Sequence, residues 1–302
     1  MRVFLLLVLT LSNAIAQDFN VFCLSVGSAD YIQDRSKFDD GYEPFSEVNG
    51  ARRSARYMFE LCQSKANVNG EILRSEPGRY ITKTNVLDAL DRVIAMAKKS
   101  VGNNPLIVFY FCGHGVSEGI AWNQFLVPGN FTGKLKNNSS ETFNKPVIDL
   151  ADELIYVGEI TDKIDNSGIP YVCLIDACYE GKAEDFSSLT KVMSEKPVQN
   201  LRDIAAILQV LNQYRGENAV VFATAPGTTT KVVDDPTVEG TYVGPLCRRM
   251  KLIEAMLPGK QEMSLKEVMT LINDDNFDRP TSSAITHWGP GENAKGIFLK
   301  KK

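Results

Sequence analysis

Pro105-Leu-Ile-Val-Phe-Tyr-Phe-Cys-Gly-His-Gly115 and Tyr171-Val-Cys-Leu-Ile-Asp-Ala-Cys-Tyr-Glu-Gly181 are two apolar runs, each closing in a short motif that carries glycine and a reactive side chain. Continuous apolar runs of this length predict strands buried on both faces, over 105–111 and 171–175. In an open α/β sheet, functional groups gather in the crevice at the carboxyl ends of the strands. One such end presents His114 and the other Cys178. A thiol nucleophile needs an adjacent imidazole to take its proton or hold it as thiolate. The chain has two histidines, His114 and His287, so scarcity alone nearly forces the candidate base.

Around these two runs the chain alternates strands and helices. Phe19 to Val26 predicts a first strand, followed by a polar, Asp-rich loop from Gly27 to Glu47. Val48 to Ser64 is helical, with Ala51, Ala55, Met58, Phe59 and Cys62 at helical spacing. Glu71 to Ile81 reads as a loop or short strand, and Thr84 as the N-cap of a helix over Asn85 to Lys99. Gly119 to Pro146 is a long excursion whose apolar centre is Phe125-Leu-Val-Pro128. Asp152 to Asp165 predicts a helix, Lys182 to Gln199 an exposed loop, and Leu201 to Tyr214 an amphipathic helix. Asn218 to Thr224 is a further strand, Gly244 to Leu257 and Ser264 to Ile272 are helices, and Gly296 to Leu299 a closing strand. This alternation predicts an α/β fold, a mostly parallel sheet with helices on both faces, in one domain over 17–302.

Composition narrows the classes. A chain of 302 residues, 44% hydrophobic and 23% charged, can bury one large core. A formal net charge of −4 carries no nucleic-acid footprint. Residues 1–16 have the layout of a cleaved signal peptide: Arg2, an apolar run from Val3 to Leu11, and a small-x-small site at Ala14-Ile15-Ala16. A secreted or periplasmic protein beginning at Gln17, with no stable membrane insertion, is the expectation. Export favours disulfides. Yet Cys23, Cys112 and Cys173 lie in strand runs and Cys62 and Cys247 on helices, without zinc-site spacing, so most read as small buried hydrophobes. A single bridge stays open.

Taken singly, Cys178 is more often a buried structural thiol and His114 a satisfied core histidine. Paired at matching strand ends, they point to a catalytic dyad. Gly113 and Gly115 allow a sharp turn and close approach to a substrate. The amides of Gly115 and Cys178 are the candidate oxyanion donors.

In this order and in these strand contexts, Tyr110-Phe-Cys-Gly-His-Gly115, Gln124-Phe-Leu-Val-Pro-Gly129 and Leu174-Ile-Asp-Ala-Cys-Tyr-Glu-Gly181 resemble the motifs of caspase-like cysteine peptidases, the family of caspases, paracaspases and metacaspases. Val221-Phe-Ala-Thr-Ala225 and Gly240-Thr-Tyr-Val-Gly244 fall where that family has its next strand and the turn into its penultimate helices. The resemblance spans nearly all of the chain after the leader. It implies the caspase-haemoglobinase fold, a peptide or protein substrate, an acyl-enzyme on Cys178 and proton transfer by His114, with no cofactor. A third, orienting group is not identifiable. Caspases that cut after Asp have Gln two positions before the nucleophile, whereas Asp176 stands there, as in metacaspases and paracaspases. The resemblance thus implies a substrate-binding role for Asp176 and cleavage after Arg or Lys. The alternative for Asp176 is a turn or amide cap.

Some features depart from the family pattern. In Gly50-Ala-Arg-Arg-Ser-Ala55, Ser54 occupies the place of a second pocket acid, so that acid is either missing or supplied by Asp30, Asp34 or another loop residue, and Cys112 replaces the common Ser. Relatives are sometimes cut in the connection corresponding to 182–199, where Lys182, Lys191 and Lys196 offer sites for self-processing; a plain solvated loop is the other reading. The acidic runs at Asp149, Asp152, Glu153 and at Asp234-Asp235 lack calcium-loop spacing, so calcium activation has no motif behind it. Asn130, Asn137 and Asn138 head N-glycosylation sequons, and His287 has no assigned role. Two competing functions remain: a catalytically silent caspase-like binding module, and a legumain-like peptidase that cuts after Asn.

Overall fold

The computed structural model describes residues 19–38, 44–63, 69–100, 104–118, 123–132, 153–178, 218–223, 232–257, 262–274, 286–288 and 297–300. In chain order these form β1 (Asn20–Gly27), α1 (Ala51–Gln63), β2 (Asn69–Arg74), α2 (Lys83–Lys99), β3 (Pro105–Glu118), β4 (Asn123–Leu126) and β5 (Ile155–Tyr156). There follow α3 (Val157–Asp165), β6 (Tyr171–Cys178), β7 (Ala219–Phe222), β8 (Val233–Asp234) and β9 (Tyr242–Val243). The last are α4 (Pro245–Met256), β10 (Glu262–Ser264), α5 (Leu265–Asn273), β11 (Thr286–Trp288) and β12 (Ile297–Lys300).

The strands run in the order β11-β7-β6-β3-β1-β2, with the last five mutually parallel and β11 antiparallel at the edge. Side chains alternate across a strand, and the sequence uses that period to fill two cores. Leu106, Val108, Tyr110 and Cys112 of β3 join Val172 and Leu174 of β6 on the face covered by α1, α4 and α5. Ile107, Phe109 and Phe111 join Cys173 and Ile175 on the face covered by α2 and α3. This is the α/β arrangement that the alternation of apolar runs predicts.

Several boundaries move. Thr82, not Thr84, caps α2: its hydroxyl accepts the Asn85 amide at 3.0 Å while Asn85 Oδ1 accepts the Thr82 amide at 3.1 Å, a reciprocal capping box. Glu71 to Arg74 belongs to a strand, parallel to β1. α3 begins at Val157 because Ile155 and Tyr156 pair with β4 instead. Part of the expected 119–146 loop is β4, which folds back antiparallel on the far half of β3. The closing strand β12 pairs with β10, away from the main sheet, and His287 sits in β11. The leader, the 182–199 loop and the 201–214 helix lie outside the described residues.

Cys23, Cys62, Cys173 and Cys247 are buried free thiols, and Cys112 is buried as well. Contact with Cys62 and burial push the Cys23 thiol well above its ordinary range. No helix among the described residues is long and apolar enough to cross a membrane.

Candidate active site

β3 outlasts β1 and carries its motif past the end of the β1 ladder. β1 and β3 pair from Asn20↔Pro105 to Gly27↔Cys112, and the Ser28 amide still donates to the Cys112 carbonyl at 2.9 Å. On the other side β6 keeps pace to the end, with Cys112↔Asp176, Gly113↔Ala177 and His114↔Cys178 in register. Hydrogen-bonded strands lie about 4.8 Å apart. The backbones of the histidine and the cysteine are therefore immediate neighbours at the carboxyl edge of the sheet.

His114 is fully buried. Its Nε2 lies 2.8 Å from the Ser46 carbonyl oxygen. A carbonyl can only accept, so Nε2 carries the proton and, in the neutral ring, Nδ1 keeps the lone pair. The ring packs against Phe45, at 4.8 Å between centroids, and against Tyr31, edge-to-face at 4.9 Å. The backbone is held as firmly: the His114 amide donates to the Tyr31 hydroxyl at 2.8 Å, and its carbonyl accepts the Val127 amide at 3.0 Å.

The flanking glycines do not turn the chain. Both lie inside β3, and among the described residues the positive-φ glycines are Gly50, Gly78, Gly168 and Gly240. Their function here is close packing. A Cβ on Gly115 would stand 2.7 Å from the Ala177 Cβ, and one on Gly113 would stand 2.8 Å from the Tyr31 hydroxyl.

Asp176 is fully buried on β6. Its Oδ1 accepts the Leu246 amide at 2.8 Å; its Oδ2 accepts the Cys247 amide at 3.0 Å and the Tyr110 hydroxyl at 2.6 Å. The carboxylate thus caps the first turn of α4, where the helix dipole favours negative charge. Burial pushes it up to about 6, against the lowering effect of those three hydrogen bonds. The amide cap expected as the alternative role for Asp176 is formed.

Gly244, just ahead of α4, packs so tightly on Asp176 that a Cβ would lie 2.3 Å from Oδ2. Ser54 is buried beside it, donating to the Gly50 carbonyl and accepting the Gly244 amide, each at 2.9 Å. Asp30 is paired with Arg52, and Asp34 caps the exposed 3-10 turn at 35–37. Neither substitute acid touches Asp176. Glu153 accepts the Thr132 amide at 3.0 Å, and among the described residues no group of three or more His, Cys, Asp and Glu is placed to hold a metal ion.

Ser46, Tyr31 and Phe45 are absent from the expectations. Ser46 acts through its main chain, which leaves no trace in residue identity. Tyr31 and Phe45 are two of four aromatic residues in the Asp-rich stretch 27–47, and aromatic side chains in so polar a stretch were the available signal for them.

No protein among those with curated functions matches the chain. A solved structure, protein GSU0716 from Geobacter sulfurreducens, is similar at 12% identity and a TM-score of 0.47, covering 94% of this chain and 97% of its own, a likeness too slight to bear on function. The sequence model of the caspase domain matches residues 41–276, which include β3, β6 and both motifs. With that match over most of its length, the chain belongs to the caspase domain family of cysteine-type peptidases.

Proposed function

We propose that this chain is a cysteine endopeptidase that hydrolyses peptide bonds with Cys178 as nucleophile and His114 as base, cuts after Arg or Lys, and works outside the cytoplasm. The observation that carries the dyad is the pairing of His114 with Cys178 in register, combined with an imidazole whose Nε2–H is committed to the Ser46 carbonyl. That commitment leaves Nδ1 as the basic nitrogen. The Ser46 carbonyl supplies the orienting group that a triad draws from a carboxylate.

In this mechanism the Cys178 thiol gives its proton to His114 Nδ1 as sulfur attacks the scissile carbonyl carbon. The amides of Gly115 and Cys178 hold the oxyanion. The imidazolium returns the proton to the departing amine, which leaves a thioester. Water then attacks that thioester with His114 taking its proton, the new carboxyl product departs, and the thiol is restored.

The basic preference is supported by the family pattern at Asp176 and by the neutrality of that residue's partners. Among the described residues, one hydroxyl and two amides bind it, and no cation cancels its charge. A buried carboxylate without a cationic partner attracts an Arg or Lys side chain over distance. Location outside the cytoplasm rests on the leader at 1–16.

The test is hydrolysis of fluorogenic peptides ending in Arg, Lys, Asp or Asn by the full chain, by Cys178→Ala and by His114→Ala, in reductant. Turnover after Arg or Lys that vanishes in both variants is the expected result. Turnover after Asp or Asn would keep the dyad and reject the basic preference. Equal turnover by Cys178→Ala would reject the dyad.

A further inference from the structure

We infer that Tyr31 is a positioning residue for His114, its hydroxyl standing in for a strand carbonyl where the β1 ladder runs out. The inference rests on the proposed dyad for its functional meaning and on geometry for its substance. N–H and C=O groups of alternate residues face the same edge of a strand, so Cys112 and His114 both turn their polar groups toward β1. Cys112 is satisfied there by the Ser28 amide. By His114 the chain of β1 has left the sheet, and a buried backbone N–H without a partner is costly. The Tyr31 hydroxyl takes that place at 2.8 Å.

The hydroxyl is fixed in direction because it donates in turn to the Ser28 carbonyl at 3.1 Å. The segment that carries it is tied along its length. Ser75 Oγ accepts the amides of Ala29 and Asp30 at 2.8 and 3.1 Å, and the Ile32 amide donates to the Gly129 carbonyl at 3.0 Å. The same side chain lays its ring edge against the imidazole. Tyr31 therefore acts on both halves of one residue, its backbone and its ring. Gly113 belongs to the device, since any Cβ there would press on the hydroxyl and on the Phe111 ring, at 2.8 and 3.0 Å. The first glycine of the motif is thus explained by a contact with a residue 82 positions earlier in the chain.

A positioning role separates from a merely structural one in what it moves. In Tyr31→Phe the ring stays and the hydroxyl goes. The expected result is a kcat lower by roughly tenfold or more, with KM changed less than about twofold, because a small misplacement of a catalytic group acts on the reaction step. Nitrogen-15 spectra of labelled full-length protein give a second readout that needs no turnover. With two histidines in the chain, a His287→Gln variant assigns the His114 signals. Wild type is expected to show one tautomer protonated at Nε2, and Tyr31→Phe a mixture. Gly113→Ala, which displaces the hydroxyl by another route, is expected to give the same mixture and covers the case in which Tyr31→Phe fails to fold. Wild-type kcat or a single unchanged tautomer in folded Tyr31→Phe overturns the inference. Absence of any Cys178-dependent turnover in wild type would count against the peptidase reading instead, and the tautomer measurement would still decide Tyr31.

Discussion

The Tyr110 hydroxyl donates to Asp176 Oδ2 at 2.6 Å, joining β3 to β6 two residues short of Cys178, and the same carboxylate holds the first turn of α4. Removing it orphans one buried hydroxyl and two buried amides at once. Asp176→Ala is expected to lose roughly 3 kcal/mol or more of stability, read from urea unfolding. Asp176→Asn keeps an acceptor oxygen and should lose less.

The raised carboxyl of Asp176 sets a pH dependence with a definite sign. A proton binds more tightly in the folded chain, at about 6, than at the ordinary value of 3.8. This group's contribution is therefore fully present below the ordinary value and is lost as pH rises toward and through about 6. Unfolding of Asp176→Asn should lack that component of the slope. On the proposed specificity, preference for Arg or Lys over a neutral residue should strengthen across the same interval as the carboxylate ionises. A preference that stays constant from pH 5 to 7.5 would remove Asp176 from specificity.

Gly115→Ala brings a methyl group to 2.7 Å from Ala177 on the neighbouring strand. β3 and β6 must part where the backbones of His114 and Cys178 pair in register. Overpacking of this kind costs about 1–3 kcal/mol. Turnover should fall further than stability does, and parallel assays of the two would show it.

Thr82→Ala removes the capping hydroxyl of α2, which covers the sheet face opposite Asp176 and α4. The expected loss is about 1 kcal/mol, measured by denaturant midpoint, with kcat and KM unchanged. A change in kcat would show that the two faces are coupled.

Lys251 on α4 meets Asp235 at 2.6 Å in the turn beyond β8, with the acid side chain wholly buried and the lysine nearly so. Burial works to raise Asp235, but Lys251 and Thr237 outweigh it and the carboxyl is lowered. This pair's contribution is present above the ordinary carboxylate range and is lost as pH falls below it. Lys251→Met leaves the acid buried without its cation and should cost roughly 3 kcal/mol, visible as a lower midpoint in thermal unfolding at neutral pH.

The elements most legible in the sequence are those whose signal is local. α1 and α5 show helical spacing of their buried residues, and β3, β6 and β7 are uninterrupted apolar runs whose period cannot be satisfied by an exposed strand. Ile81-Thr-Lys-Thr84 offers two threonines as caps, and the choice falls to Thr82 because Asn85 closes the box three residues on. The β4–β5 pairing was illegible for a different reason. Two short segments separated by a long excursion become strands only because β4 pairs with the far half of β3 and β5 then pairs with β4.

By itself the sequence determined the α/β class, the two motif strands, and the placing of one histidine and one cysteine at corresponding strand ends, because these follow from residue pattern over a dozen positions. The tertiary structure decided what surrounds them. The Ser46 carbonyl that sets the His114 tautomer is 68 residues away, the Tyr31 hydroxyl that takes its amide 83, and the α4 amides that claim Asp176 begin 70 residues on. Each of these contacts uses a backbone group on one side or the other, and backbone groups are identical at almost every position. Their partners exist only once the chain has folded back on itself.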